Sequence, residues 1–83
     1  MTVRRHETPH FSNDPTDYGL WRCGLWYEGV AFVATHERAL NVAAQCRQLG
    51  ARCYVEPLAR RYVLLMPESA PEEAVELAER MAG

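Results

Sequence analysis

The chain has 83 residues, of which 48% are hydrophobic and 24% charged, so its size and composition are those of one soluble globular domain rather than of a disordered or membrane protein. The net charge of −2 gives no general attraction to a phosphate backbone, so we expect no nucleic-acid partner. No apolar run approaches the ~20 residues that cross a bilayer, and residues 1–20 lack the apolar core of a signal peptide; we therefore expect a cytoplasmic protein without a membrane partner.

Residues 1–17 are predicted to form an N-terminal tail, and residues 18–83 a single α+β domain. The tail is polar, contains Pro9 and Pro15, and has the period of neither a helix nor a strand. Phe11 and Tyr18 are the side chains best able to hold this tail against the domain.

The segment that follows predicts a β-hairpin. In residues 20–27 alternate side chains share a face, which groups Trp21, Cys23, Leu25 and Tyr27 on one side and Leu20, Arg22, Gly24 and Trp26 on the other. Glu28-Gly29 then has the composition of a short turn, and the β-branched and aromatic residues 30–34 form the second strand.

A helix is predicted next, with Thr35 as its N-cap, because a hydroxyl there accepts a hydrogen bond from a free backbone N–H. A narrow apolar stripe with a 3.6-residue period follows, consisting of Ala39, Val42, Ala43, Cys46 and Leu49. Gly50 stands where a residue in the left-handed conformation ends a helix.

Two strands and a second helix complete the pattern. Residues 52–56 alternate, and residues 62–66 form a continuous apolar run that is typical of a central strand covered on both faces. Ser69 and Glu72 have the spacing of a capping box for the last helix. The buried stripe of this helix consists of Ala74, Leu77, Ala78 and Met81. The order ββαββα predicts an α+β two-layer sandwich, in which a four-stranded sheet carries two helices on one face.

No segment carries a convincing catalytic or ligand-binding signature, so we expect a protein that is not an enzyme and holds no cofactor. Residues 6–10 match the H-E-x-x-H pattern, but Pro9 would interrupt the helix that this zinc site requires. Cys23, Cys46 and Cys53 lack metal-site spacing and fit small core residues; a zinc site or a reactive thiol are the alternatives.

The sheet face opposite the helices is the predicted interface. If Cys53 points inward, then Arg52 and Tyr54 point outward, and we expect Arg22 and Trp26 to share their face. Trp, Tyr and Arg dominate binding hot spots, and the chain is basic between Arg38 and Arg61 and acidic in its last helix. The predicted partner-binding residues are Arg22, Trp26, Arg52, Tyr54, Arg60 and Arg61. The alternatives are a homodimer through the sheet, or an N-terminal tail that covers this face with Phe11 or Tyr18 over Trp26.

Residues 30–81 resemble the peptidoglycan-binding SPOR domains in an Ala-rich helix that ends at Leu49-Gly50, in paired strands around Tyr54 and Tyr62, and in a Glu-Glu-Ala opening to the last helix. This resemblance implies recognition of bare glycan strands. The third strand ends in Met66-Pro67, whereas that family has a Gly-Pro-Phe type of ending.

The same residues are similar to the small PII-like signal-transducing domains. Those domains share the strand-helix-strand-strand-helix plan and a V-P-E type of step into the final helix, which is Met66-Pro67-Glu68 here. This resemblance implies a domain that binds a small ligand.

Size, split charge and the lack of catalytic groups together favour a non-enzymatic protein-binding module that acts as an adaptor or a stoichiometric inhibitor. Small inhibitors carried by phages and mobile elements, anti-CRISPR proteins among them, have this profile. The alternative function is a small-ligand-binding or glycan-binding domain of the SPOR or PII-like kind.

Overall fold

The structure, a computed structural model, describes residues 3–4 as backbone and residues 13–82 with their side chains. The proposed anchor Phe11 and the H-E-x-x-H motif at residues 6–10 lie outside the described residues. Within the described ranges, neither helix combines the length and apolar character that a segment crossing a bilayer needs.

In the part of the chain that the structure describes, antiparallel strands form one sheet with two helices. The strands are β1 (Val3–Arg4), β2 (Tyr18–Arg22), β3 (Leu25–Val33), β4 (Tyr54–Pro57) and β5 (Tyr62–Pro67). The helices are α1 (His36–Gln48) and α2 (Glu72–Met81), and a 3₁₀ helix, Pro15–Asp17, precedes β2. The sheet order is β1-β2-β3-β5-β4. The predicted α+β plan is therefore confirmed. The two-residue β1 is one strand more than the four predicted, and it pairs with β2.

β2 and β3 form a hairpin around Cys23-Gly24, so the predicted turn at Glu28-Gly29 is wrong. Both turn residues have a positive φ, 52° for Cys23 and 78° for Gly24, as the type I′ turns of tight hairpins require. β3 continues through Glu28 and Gly29, with a register shift between Gly29 and Ala31. The longer strand is favoured because residues 25–28 pair with β2 and residues 27–33 pair with β5.

Both helices pack on one face of the sheet, as predicted. Thr35 caps α1 by accepting a hydrogen bond from the Arg38 backbone N–H at 3.2 Å. Leu49 of the predicted stripe is 41% exposed, because it is the C-cap residue beyond the last turn. Gly50 follows with a φ of +93°, as its predicted position requires. The first core, on this face, consists of Ala31, Val33, Ala39, Val42, Ala43, Cys46, Ala51, Cys53, Leu64, Met66, Ala74 and Ala78.

α2 begins after Pro71, so the predicted capping box at Ser69 is wrong. Pro71 occupies the N-cap position and makes no side-chain hydrogen bond. A proline disfavours the helical conformation in the residue before it, so Ala70 stays outside the helix. Ser69 therefore cannot be the N-cap residue of α2. At the other end, the Arg38 guanidinium donates two hydrogen bonds to the carbonyl of Met81, at 3.0 and 2.6 Å. The predicted buried stripe is confirmed, since all four of its members pack in or against the first core: Ala74, Leu77, Ala78 and Met81.

The sheet face away from the helices carries a second core, which consists of Tyr18, Leu20, Tyr27, Val63 and Leu65. The 3₁₀ helix covers part of this face, because the carbonyl oxygen of Pro15 lies where a Cβ on Gly29 would have to be. Tyr18 packs edge-on against Phe32, with ring centroids 5.8 Å apart. β5 lies between the two cores and is buried on both faces, as its continuous apolar run predicts.

The three cysteines lie in different environments. Cys46 and Cys53 are buried, as predicted for core residues, and the Cys46 thiol donates to the carbonyl of Ala74 at 3.4 Å. Cys23 is exposed, so its predicted place in the core is wrong; the hairpin turn carries it beyond both strands. Burial raises the pKa of the Cys46 thiol. Burial, and secondly the neighbouring Cys46, raise the pKa of the Cys53 thiol to about 12.

We expect a thiol reagent at about pH 8 to modify Cys23 rapidly in the folded protein and to leave Cys46 and Cys53 unmodified, because the reactive species is the thiolate. The measurement is a count of modified thiols by mass spectrometry before and after unfolding. The expected counts are one and then three of the three free cysteines. Rapid modification of all three in the folded state would contradict the burial of Cys46 and Cys53.

Candidate functional site

The hairpin turn brings the two tryptophans of the chain together. Because the turn consists of Cys23 and Gly24, Arg22 pairs with Leu25 and Trp21 pairs with Trp26 across the two strands. The indole centroids of this pair lie 5.3 Å apart, with their planes inclined at 58°. Aromatic pairs in such tilted arrangements stabilise each other by about 0.5–1.5 kcal/mol beyond the area they bury.

Trp26 is held against the backbone of β2. A Cβ built on Gly19 would collide with carbon atoms of the Trp26 indole, so this ring lies directly over the glycine. Covering a strand glycine with a cross-strand aromatic ring is a known way to stabilise a sheet edge. Trp26 is half-buried as a result, whereas Trp21, which packs against it, remains 66% exposed.

A groove runs beside this indole pair, on the same side of the sheet as the helices. It has a volume of about 360 Å³ and is lined by Trp21, Gly24, Leu25, Trp26, Pro67, Glu68 and Ser69. A second hollow, of about 220 Å³, shares Trp26, Pro67 and Glu68 with it and is also lined by Glu28, Val30, Met66 and Val75 of α2. The walls of both are mainly apolar, and the charged side chains among the described residues that line them are Glu28 and Glu68.

The opposite face of the sheet carries a row of rings and guanidinium groups. Arg22 lies over the ring of Tyr54 at 4.6 Å, and Tyr54 packs edge-on against Tyr27 at 4.9 Å. Arg61 lies over the ring of Phe32 at 3.6 Å. The cations therefore cover the aromatic faces that this side of the sheet would otherwise present.

The structure divides the predicted interface between the two faces. Arg22 and Tyr54 are in contact, and Arg61 lies on the same face over Phe32. Trp26 points to the helix side with its partner Trp21, so the expectation that it shares a face with Arg22 and Tyr54 is wrong. That expectation rested on alternation along one continuous strand, and the turn at Cys23-Gly24 interrupts the alternation between Arg22 and Trp26. The other two predicted residues are exposed in loop segments next to β4 and β5, namely Arg52 and Arg60.

Sequence reasoning missed Trp21, Leu25 and Glu68 as members of a site. The available signal was the spacing of the two tryptophans, which stand symmetrically about Cys23-Gly24. A two-residue turn at such an x-Gly pair makes the flanking tryptophans cross-strand neighbours. Glu68 had no local signal, because it reaches the groove only through the pairing of β3 with β5.

Comparison of this chain with protein-family models, with curated proteins and with solved structures found no match. Within residues 13–82, no group of three or more His, Cys, Asp or Glu side chains could hold a metal ion. What these residues do bring together is an ordered indole pair and a mainly apolar groove beside it.

We expect Gly19→Ala to displace the Trp26 indole and to lower the free energy of unfolding by about 1–3 kcal/mol, the usual cost of overpacking. Chemical denaturation measures the cost, and a weakened exciton signal in circular dichroism would report the separation of the two indoles. The control is the same substitution in a Trp26→Ala background, where most of the cost should disappear. An equal cost in both backgrounds would show that Gly19 is needed for another reason.

Proposed function

We propose that this chain is a non-enzymatic protein-binding module of the cytoplasm, acting as an adaptor or a stoichiometric inhibitor, and that the tip of the β2–β3 hairpin contacts the partner. The observation that carries the proposal is Trp21, the largest kind of apolar side chain, which is 66% exposed at an ordered position. Leu25, on the other side of the tip, is 38% exposed.

Trp21 has the properties of a binding hot spot. Tryptophan is the residue type most enriched at such positions, and a hot spot needs neighbours that exclude water around it. Trp26, Leu25 and the groove beside them supply that surrounding surface. Because Trp21 already packs against Trp26, little side-chain freedom remains to be lost when a partner binds, and this raises the affinity that a given contact area supplies.

The other predicted partner-binding residues form a second part of the proposal. Arg22 and Tyr54 make one contact pair on the far face of the sheet, and Arg61 makes another with Phe32. Together with Arg22, the exposed Arg52 and Arg60 would attract an acidic partner and speed its association more than they would tighten it. A second copy of the chain is one candidate partner, and measurement of the mass in solution tests this directly.

A domain that binds a small ligand or a glycan, of the SPOR or PII-like kind, is the second candidate. The groove of about 360 Å³ beside the exposed face of Trp21 favours it, because ligand sites are concave and mostly apolar with a few polar groups. A saturable thermal shift with peptidoglycan fragments or with nucleotides would support this candidate. No shift across that panel would leave the protein-binding proposal alone.

We expect Trp21→Ala to weaken partner capture by about 2 kcal/mol, or roughly 30-fold, because it truncates the central hot-spot side chain. The measurement is affinity capture from a lysate of the source organism, then titration of the captured protein against wild type and variant.

The matched control is Leu40→Ala, which removes a 46% exposed apolar side chain from α1, away from the hairpin. Thermal unfolding of each variant checks that the fold is intact. If Trp21→Ala and Leu40→Ala bind the captured protein equally well, the hairpin tip is not the contact surface.

A further inference from the structure

We propose that a hollow between the end of α1 and the start of β4 binds a phosphate group, carried either by a small molecule or by a phosphorylated side chain. The hollow has a volume of about 340 Å³ and is lined by Arg47, Ala51, Arg52, Cys53 and Tyr54. β4 is an edge strand of the sheet, and β5 separates it from the hairpin strand β3. The proposal therefore concerns a different part of the molecule from the hairpin tip and does not depend on the proposed protein-binding function.

The lining residues give this hollow a positive charge. Its charged side chains are Arg47 and Arg52, and no carboxylate of the described residues lines it with them. The thiol of Cys53 adds no negative charge, because burial raises its pKa to about 12. An anion in the hollow would therefore meet two guanidinium groups and no opposing charge among the lining residues.

Arg47 is held in place before any ligand arrives. Its Nη2 donates a hydrogen bond to the carbonyl oxygen of Cys53 at 2.6 Å, which ties the last turn of α1 to the residue before β4. A guanidinium has five N–H donors, so this single bond leaves others for a ligand. A side chain that is already ordered loses little freedom on binding, and the planar fork of a guanidinium matches two phosphate oxygens at once.

The C-terminus of α1 opposes an anion less than a free helix end would. Such an end carries a partial negative charge of about half a unit on its unpaired carbonyls. Here the carbonyl of Arg47 accepts the N–H of Gly50 at 2.9 Å, with Gly50 at a φ of +93°. The carbonyl of Cys46 likewise accepts the N–H of Ala51 at 3.1 Å. The full positive charges of Arg47 and Arg52 therefore outweigh the helix end.

Charge and size favour a phosphate over a carboxylate. A phosphate monoester carries about 1.5 to 2 negative charges at neutral pH and three acceptor oxygens, which matches two guanidinium groups better than a single carboxylate does. Arg22 lies over the ring of Tyr54, a lining residue, at 4.6 Å, so a third positive charge is one side chain away. The volume of about 340 Å³ also lies in the range of small-ligand sites, about 300–1,000 Å³, and leaves room for part of the molecule that carries the phosphate.

The test is a titration of the full chain followed by NMR, through the backbone amides of residues 51–54 and the arginine Nε–H resonances. The probes are inorganic phosphate, glucose 6-phosphate and three capped pentapeptides that differ in one central residue: phosphoserine, serine or glutamate. The titrations are made at low ionic strength and about pH 7.5, where a phosphate monoester is close to doubly charged.

We expect the phosphate-bearing probes to perturb residues 51–54 saturably, and the glutamate peptide to bind about tenfold more weakly than the phosphoserine peptide. The serine peptide should not bind. Tighter binding of the sugar phosphate than of the phosphopeptide would identify a small molecule as the source of the phosphate, and the reverse order would identify a phosphorylated protein.

We expect Arg52→Gln to weaken phosphate binding about tenfold, because it removes one of the two guanidinium groups. Arg52→Lys keeps the charge without the planar fork and should recover only part of the loss. The matched control is Arg60→Gln, which removes an exposed guanidinium from the loop at the other end of β4 and should leave binding intact. Thermal unfolding of each variant checks that the fold is intact.

Equal weakening by Arg52→Gln and Arg60→Gln would overturn the proposal, because it would show a general attraction to a basic surface. Perturbations that grow without saturation, or a glutamate peptide that binds as tightly as the phosphoserine peptide, would overturn it as well. If phosphate binds as expected but Trp21→Ala leaves partner capture unchanged, the phosphate site stands and the hairpin tip is not the partner surface. If capture depends on Trp21 and no phosphate-bearing probe binds, the hairpin proposal stands and the phosphate site falls.

Discussion

The position of the turn at Cys23-Gly24 is the constraint on which the rest of the structure depends. Side chains alternate along a strand, so a loop one residue longer or shorter at this place would exchange the faces of β2 relative to β3. With this turn, Leu20 and Tyr27 meet in the second core while Trp21 and Trp26 meet on the helix side. The left-handed conformation at Cys23, with its φ of 52°, costs about 1–2 kcal/mol for a residue with a side chain. The Leu20–Tyr27 contact and the Trp21–Trp26 contact both depend on the register that this turn sets. The packing of these pairs offsets the cost of the left-handed conformation at Cys23.

Two strand glycines then fix what lies on each face of this hairpin. Glycine weakens a strand in most settings, so a close approach of other atoms is the usual reason for it. Gly19 admits the ring of Trp26 on the helix side, and Gly29 admits the carbonyl of Pro15 on the opposite side. Gly19 therefore makes room for the Trp26 ring in the candidate binding surface. Gly29 makes room for the 3₁₀ helix that covers part of the second core. The two features are independent, because they rest on different residues of different strands.

Periodicity predicted the elements that local sequence determines and missed those decided by long-range pairing. The Thr35 cap, the Ala-rich stripe of α1 and the doubly buried β5 follow from side-chain spacing, and all are present. The hairpin turn was misplaced because Cys23-Gly24 and Glu28-Gly29 are both x-Gly pairs, and only the pairing of β3 with β5 distinguishes them. Because of that error, Trp21 was not predicted as a site residue. The Arg22–Tyr54 contact, in contrast, lies on the face where both residues were expected.

The placement of the tryptophans supports the proposed role in recognition. A domain of this size has little core to spare, yet of the side chains that the structure describes, neither indole belongs to either core. Single exposed apolar side chains are ordinary on protein surfaces, but Trp21 is stacked on a second indole that is itself packed on backbone. Packing of this kind orders a surface without burying it. Besides its contribution to the hairpin, an ordered and exposed aromatic surface loses little freedom when a partner binds, and this supports the proposed binding function.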